Sequence, residues 1–150
     1  MHKDVKAIIV ALMCMISFLF IVNNNVYASD AFSGHIYKVN ETTKYDDGST
    51  GTKINEYWVF GNNNQLLITR DKNTVRFIKN HKELIDSVIE SQNNYREKES
   101  YTYELNGNNL KVTSSEGLTL ADTSVNGSNI NKCTVPDETY KKILSFKGVG

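Results

Sequence analysis

Few side chains in this 150-residue sequence have the types and spacing that chemistry requires. A protein metal site needs histidines, cysteines or carboxylates at short intervals, as in a HExxH helix or a CxxC pair. After the first thirty residues the only histidines and cysteine are His35, His81 and Cys133, which are far apart in the chain. We therefore expect neither a bound metal nor a cofactor.

Covalent catalysis has one candidate nucleophile, the thiol of Cys133. Cys133 is in phase with Val135 on a predicted strand, so we expect it to point inward and to behave as a small hydrophobic residue. The segment 48–51 contains Ser49 between glycines but lacks the spacing of a nucleophile elbow. No catalytic residue is predicted, and a small thiol or hydrolytic enzyme is the least favoured of three functional classes.

The carboxylates form no recognisable acid–base or calcium pattern. Loop 46–50 is rich in oxygen ligands but lacks the distal glutamate of a calcium loop, which favours a solvated turn. The nearby pairs Glu97/Glu99 and Glu83/Asp86 have no visible apolar pocket that would separate their pKa values.

Aromatic side chains are the best candidates for binding. In the predicted strand 52–60, Tyr57 faces one side and Trp58 the other, which indicates a strand covered by apolar groups on both faces. Tyr101 and Tyr103 add rings that can pack and donate a hydrogen bond. The alternative is that all four rings fill the core, because a barrel of about eight strands is narrow.

The elements that position these residues are mostly strands. Short apolar runs with period-two alternation, bounded by glycine, asparagine and aspartate, predict strands at 34–43, 52–60, 65–70, 74–80, 101–105, 110–113, 118–121 and 130–135. Asn106-Gly107 and Asn126-Gly127 are typical hairpin turns. A change to helical spacing at 81–93 predicts one inserted helix, near 82–91, capped by Asn80 and Glu83. The pattern after Pro136 predicts a short C-terminal helix over 137–146.

The expected fold is mainly β, an antiparallel meander of about eight strands that forms a small barrel or curled sheet, with these two helices. Segments 56–66 and 101–112 carry a resemblance to the small lipocalin-like or calycin-like barrels of secreted bacterial proteins. The tryptophan of lipocalins stands in the first strand, whereas Trp58 lies in the second. The resemblance therefore implies a fold and no ligand residues.

The first thirty residues have the pattern of a secretory signal peptide. Basic residues precede the apolar run 7–22, and Val26 and Ala28 are the small residues that signal peptidase needs, so we expect cleavage after Ala28 and a single domain over 29–150. The alternative is an uncleaved anchor, although the run is shorter than the roughly 17–25 residues of most spans.

Charge and composition limit the classes of binding partner that we expect. The sequence balances 17 basic against 17 acidic residues, so no basic field favours nucleic acid, and no stable membrane insertion is expected after cleavage. An exported chain that keeps a single cysteine, Cys133, is more typical of a Gram-positive bacterium than of a eukaryotic secretory route. The favoured function is a secreted, non-enzymatic domain that binds an extracellular partner protein, an inhibitor target or a small apolar ligand. The second candidate is an immunity or protective protein retained at the envelope.

Overall fold

A computed structural model describes residues 31–96 and 99–149, and it is built mainly from antiparallel strands. In chain order the elements are β1 (Ile36–Tyr45), β2 (Thr50–Phe60), β3 (Gln65–Thr69), α1 (Lys72–Asn80), a 3₁₀ turn (Lys82–Leu84), α2 (Ile85–Arg96), β4 (Tyr101–Asn106), β5 (Asn109–Ser114), β6 (Thr119–Asn126), β7 (Asn129–Ile130), β8 (Cys133–Pro136) and β9 (Tyr140–Val149). The prediction of a mainly β fold with an inserted helix is confirmed.

The nine strands form one strongly curled antiparallel sheet, a half-barrel, in the order β7-β6-β5-β4-β3-β2-β1-β9-β8. Its two edges lie close together, because the link between β7 and β8 runs from one edge to the other. There the Asn131 backbone N–H donates to the Ser124 carbonyl of β6 at 3.1 Å, while Cys133 in β8 pairs with Leu144 of β9. Curling thus protects edges that a flat sheet would leave open to other strands.

Apolar side chains fill both faces of the central strands. The concave face holds the larger core, which includes Trp58, Phe60, Leu66, Tyr103 and Leu110. The convex face carries the two helices over a second cluster of Ile36, Val59, Leu67, Val75, Ile78, Ile85 and Ile89. Strand β2 is therefore apolar on both faces because Trp58 packs inside the curled sheet, whereas its neighbour Val59 packs under the helices.

The predicted hairpins form, with a shift of one residue in the turns. β4 and β5 end at the pair Asn106 and Asn109, and β6 and β7 at Asn126 and Asn129. Gly107 and Gly127 have φ values of 58° and 60°, whereas the asparagines before them remain in the strands. A glycine with positive φ at the first central position is typical of a type II′ turn.

Segment 74–80, predicted as a strand, is instead the helix α1. The carboxylate of Asp71 caps it by accepting from the Asn73 backbone N–H at 2.9 Å and from the Thr74 hydroxyl at 2.7 Å. Val75 and Ile78, three residues apart, are its buried residues. The alternation of Val75 with Phe77 was misleading, because Phe77 is 45% exposed.

The inserted helix is found where it was predicted, with a different start. A 3₁₀ turn precedes this helix, and the residue at its N-cap position is His81, whose side chain caps no N–H group. Asn80 is instead the last residue of α1, so the predicted capping box of Asn80 and Glu83 does not form. Ile85 and Ile89 are buried, as the helical spacing indicated, while Leu84 is 38% exposed.

The predicted C-terminal helix over 137–146 is wrong, since β9 occupies Tyr140–Val149 and pairs along its whole length with β1. The predicted last strand, 130–135, is also divided: Ile130 ends β7 on one edge and Cys133 begins β8 on the other. The phase change between Ile130 and Cys133 therefore marks a crossing between the two edges.

The predicted signal peptide, with its cleavage after Ala28, lies outside the described residues. Within 31–96 and 99–149, no helix has the length and hydropathy to cross a membrane.

At Gly61 the backbone passes close to α2, and Gly61→Ala is expected to destabilise the fold by about 1–3 kcal/mol. A methyl group there would lie 2.5 Å from the Ile89 Cδ1 atom and 2.9 Å from an Asp86 carboxylate oxygen. Ile89 is fully buried, and Asp86 is held by the Asn62 backbone N–H at 2.8 Å, so neither can move freely.

Chemical denaturation followed by circular dichroism measures this effect. Gly148→Ala is the matched control, because a methyl group at Gly148 meets no atom within 4 Å. Equal stability of the two variants would show that α2 does not depend on close contact at Gly61.

Candidate functional site

One end of the concave face is closed by packed aromatic rings. Phe60 lies 5.3 Å from Phe32, 5.5 Å from Tyr37 and 4.9 Å from Tyr103, measured between ring centroids. The Tyr103 hydroxyl donates to the Gly61 carbonyl at 3.0 Å, and the Tyr37 hydroxyl donates to the Ser128 carbonyl. Burial raises the pKa of Tyr37 to about 12, so it stays a neutral donor. This end of the concave face is therefore part of the packed core.

The opposite end opens into a cavity of about 720 Å³, which we call the mouth cleft. Trp58 and Leu144, both buried, lie at its inner side. The remaining lining comes from seven strands and their connections: Glu41, Glu56, Glu99, Tyr101, Ser114, Leu118, Thr119, Leu120, Asp122, Thr134, Val135, Pro136, Asp137, Tyr140 and Lys142. Its size is in the range of small-molecule sites, about 300–1,000 Å³.

Inward-facing positions on the long strands explain the polar walls. Glu41 and Glu56 are in phase with Val39 and Trp58, whose side chains belong to the concave core. Strand alternation therefore aims both carboxylates into the curl. Glu41 forms an ion pair with Lys142 of β9, with 3.5 Å between Oε1 and Nζ.

Three aromatic residues of the mouth cleft hydrogen-bond to a carboxylate close by in the sequence. The Trp58 indole N–H donates to Glu56 Oε1 at 3.0 Å, and the Tyr101 hydroxyl donates to Glu99 Oε2 at 2.7 Å. The Tyr140 hydroxyl is bonded to the Asp137 carboxylate; this bond lowers the pKa of Asp137 and raises that of Tyr140. Each neutral donor orients a carboxylate without cancelling its charge.

The four aromatic binding candidates of the sequence do not come together. Trp58 and the half-buried Tyr101 both line the mouth cleft. Tyr103 is 1% exposed and lies in the closed core. Tyr57 lies on the convex face, where it borders a hollow of about 210 Å³ beside α1.

The residues considered for covalent chemistry lie apart from one another. His35 contacts the rings of Phe32 and Tyr37, while His81 stacks on Phe77 of α1 at 4.5 Å. Cys133 is 2% exposed; its thiol donates to the Asp122 carbonyl at 3.6 Å, and burial raises its pKa. Among residues 31–96 and 99–149, no three histidine, cysteine or carboxylate groups are placed to hold a metal ion.

Sequence reasoning missed most of the polar lining. Glu41 and Glu56 could have been found as charged residues in the inward phase of amphipathic strands. Tyr140 and Lys142 were hidden because their segment was predicted as a helix. Asp137 comes from the short connection between β8 and β9, which has no distinct sequence signal.

Comparison with known proteins finds no matching family and no significant similarity to a curated protein or a solved structure. The resemblance to lipocalin-like barrels thus reaches as far as the curled antiparallel sheet.

Proposed function

We propose that this protein is a secreted, non-enzymatic binding domain that holds a small ligand in the mouth cleft. The observation that carries the proposal is the asymmetry of the concave face, which is packed with rings at one end and open over about 720 Å³ at the other. Apolar surface from Leu118, Leu120 and Val135 stands beside oriented polar groups there. This combination is typical of ligand sites.

Within the part of the chain that the structure describes, no nucleophile is paired with a base, which supports binding over catalysis. A nucleophilic cysteine needs a lowered pKa and access to solvent, whereas Cys133 is buried and its pKa is raised. Neither His35 nor His81 belongs to the lining of the mouth cleft.

Tyr101→Ala is expected to abolish or strongly weaken ligand retention while costing only about 1–2 kcal/mol of stability. Tyr101 is half-buried at the wall of the mouth cleft, and its hydroxyl orients Glu99. Native mass spectrometry of protein recovered from the cells that naturally produce it measures retention directly, as a small-molecule mass carried by the folded chain.

The matched control is Phe77→Ala, which removes an exposed ring from α1, far from the mouth cleft. That variant should keep the bound mass. A Tyr101→Ala protein that retains it as well, or a wild-type protein that carries and accepts no small molecule, contradicts the proposed function.

A further inference from the structure

The charge of the mouth cleft differs sharply from that of the whole chain. The sequence has equal numbers of basic and acidic residues, 17 of each. The described lining of the mouth cleft includes four acidic residues, Glu41, Glu56, Glu99 and Asp137, and a single ammonium group, that of Lys142. Asp122 also borders the cleft, but it alternates with the buried Ala121 and Thr123, and its carboxylate accepts a hydrogen bond from the Asn109 side chain. A concave wall of one sign concentrates ions of the opposite sign.

Three of these carboxylates accept hydrogen bonds from aromatic side chains, an arrangement that leaves them suited to bind a cation. Glu56, Glu99 and Asp137 accept hydrogen bonds from an indole or phenol group, and these donors carry no charge. Because the donors are neutral, they add no positive charge beside the carboxylates, and each carboxylate has further oxygen lone pairs for an incoming N–H group. Only Glu41 is paired with a cation among the described residues.

The same three pairs place aromatic rings next to the anionic oxygens. Tyr101 and Tyr140 are half-buried residues of the lining, and Trp58 lies beneath them. Organic ammonium groups are bound in proteins by aromatic rings together with carboxylates. A bare metal ion fits less well, because the space is large and no three ligands of the described chain converge.

We propose that the ligand of the mouth cleft is an organic cation, an amine, quaternary ammonium or guanidinium group carried on an apolar body. This inference rests on the proposed function and specifies its ligand. The carboxylates of Glu56, Glu99 and Asp137, which all line the mouth cleft, attract the cationic group, and the apolar body packs on the leucine and valine side chains of the wall.

The test compares three probes of similar shape and different charge: benzyltrimethylammonium, neutral benzyl alcohol and anionic benzenesulfonate. Trp58 is the single tryptophan of the sequence, so its indole N–H gives one resolved ¹H–¹⁵N signal. That N–H is bonded to Glu56, and a cation at Glu56 should shift the signal. We expect saturable shifts and the tightest binding for the cation, weakened when ionic strength rises from about 0.01 M to about 0.5 M.

Variants in which carboxylates are replaced by neutral amides test whether these groups bind the cation. The double variant Glu99→Gln/Asp137→Asn should weaken cation binding by roughly three- to tenfold and leave benzyl alcohol unaffected. The matched control is Glu104→Gln, which removes one exposed carboxylate from β4 outside the mouth cleft and should change neither. Lys142→Met should tighten cation binding, because it removes the only ammonium group of the described lining.

The outcomes separate the two proposals. Binding of benzyl alcohol or benzenesulfonate as tight as that of the cation, with no effect of the double variant, overturns the cation inference and leaves the mouth cleft as a ligand site. If no probe shifts the Trp58 signal, the cation inference fails; if native mass spectrometry also finds no ligand, the proposed function fails with it.

Discussion

Trp58→Ala is expected to lower the free energy of unfolding by about 3–5 kcal/mol. The side chain is fully buried at the centre of the sheet, on β2 between β1 and β3. Its ring meets Phe146 edge to face at 5.3 Å, and its indole N–H bonds to Glu56. Alanine would leave a large cavity and remove the donor that holds an inward-facing carboxylate, and both effects destabilise the folded state.

Urea unfolding monitored by far-ultraviolet circular dichroism measures this change, since the variant has no tryptophan fluorescence. Leu118→Ala is the control, because Leu118 is 61% exposed in the connection between β5 and β6 and should change stability little. A loss below about 1 kcal/mol for Trp58→Ala would mean that the core repacks around the missing ring.

The strands that could be predicted from the sequence are those whose partners are neighbours in the chain. The alternation of Tyr101, Tyr103 and Leu105 with polar residues, followed by Gly107, was sufficient for the β4–β5 hairpin. In such cases one face packs on the core, the other meets solvent, and a local turn sets the register.

The errors arose where the partner is distant or the local pattern is ambiguous. In β9, Tyr140, Ile143 and Leu144 fit one helical face, while the alternation of Tyr140, Lys142, Leu144 and Phe146 fits a strand. Pairing with β1, about a hundred residues earlier, decides for the strand, and no local rule contains that contact. In α1 the reverse holds, because the Asp71 cap was a local signal that the alternation of Val75 and Phe77 concealed.

In the candidate site, too, the residues that could be predicted are those that local sequence identifies, and the residues missed are those that depend on distant strands. Trp58 and Tyr101 could be selected from residue type alone, but the carboxylates that accompany them in the mouth cleft depend on how seven strands converge. Glu41 and Lys142 meet only because β1 and β9 pair. A site assembled from distant strands is therefore visible in the sequence only as scattered inward-facing polar residues.

Tyr103→Ala should also cost about 3–5 kcal/mol, in contrast to the small loss expected at Tyr101 two residues earlier. The two tyrosines lie on the same face of β4, yet Tyr103 is 1% exposed and Tyr101 borders the mouth cleft. The Tyr103 ring packs edge to face on Phe60 at 4.9 Å and on Phe32 at 6.5 Å. Its removal therefore opens the aromatic end of the core.

Tyr103→Phe distinguishes the contribution of the ring to stability from that of the hydroxyl group. The phenylalanine keeps the ring contacts and loses the 3.0 Å hydrogen bond to the Gly61 carbonyl, so we expect a loss of about 1 kcal/mol. Urea denaturation of the three variants, followed by circular dichroism, should rank the stability losses as Tyr103→Ala far above Tyr103→Phe, with Tyr101→Ala well below Tyr103→Ala. Equal losses for Tyr101→Ala and Tyr103→Ala would contradict the division of the concave face into a closed core and an open mouth cleft. That division requires Tyr103 to stabilise the core and Tyr101, two residues earlier on the same face, to contribute little to stability.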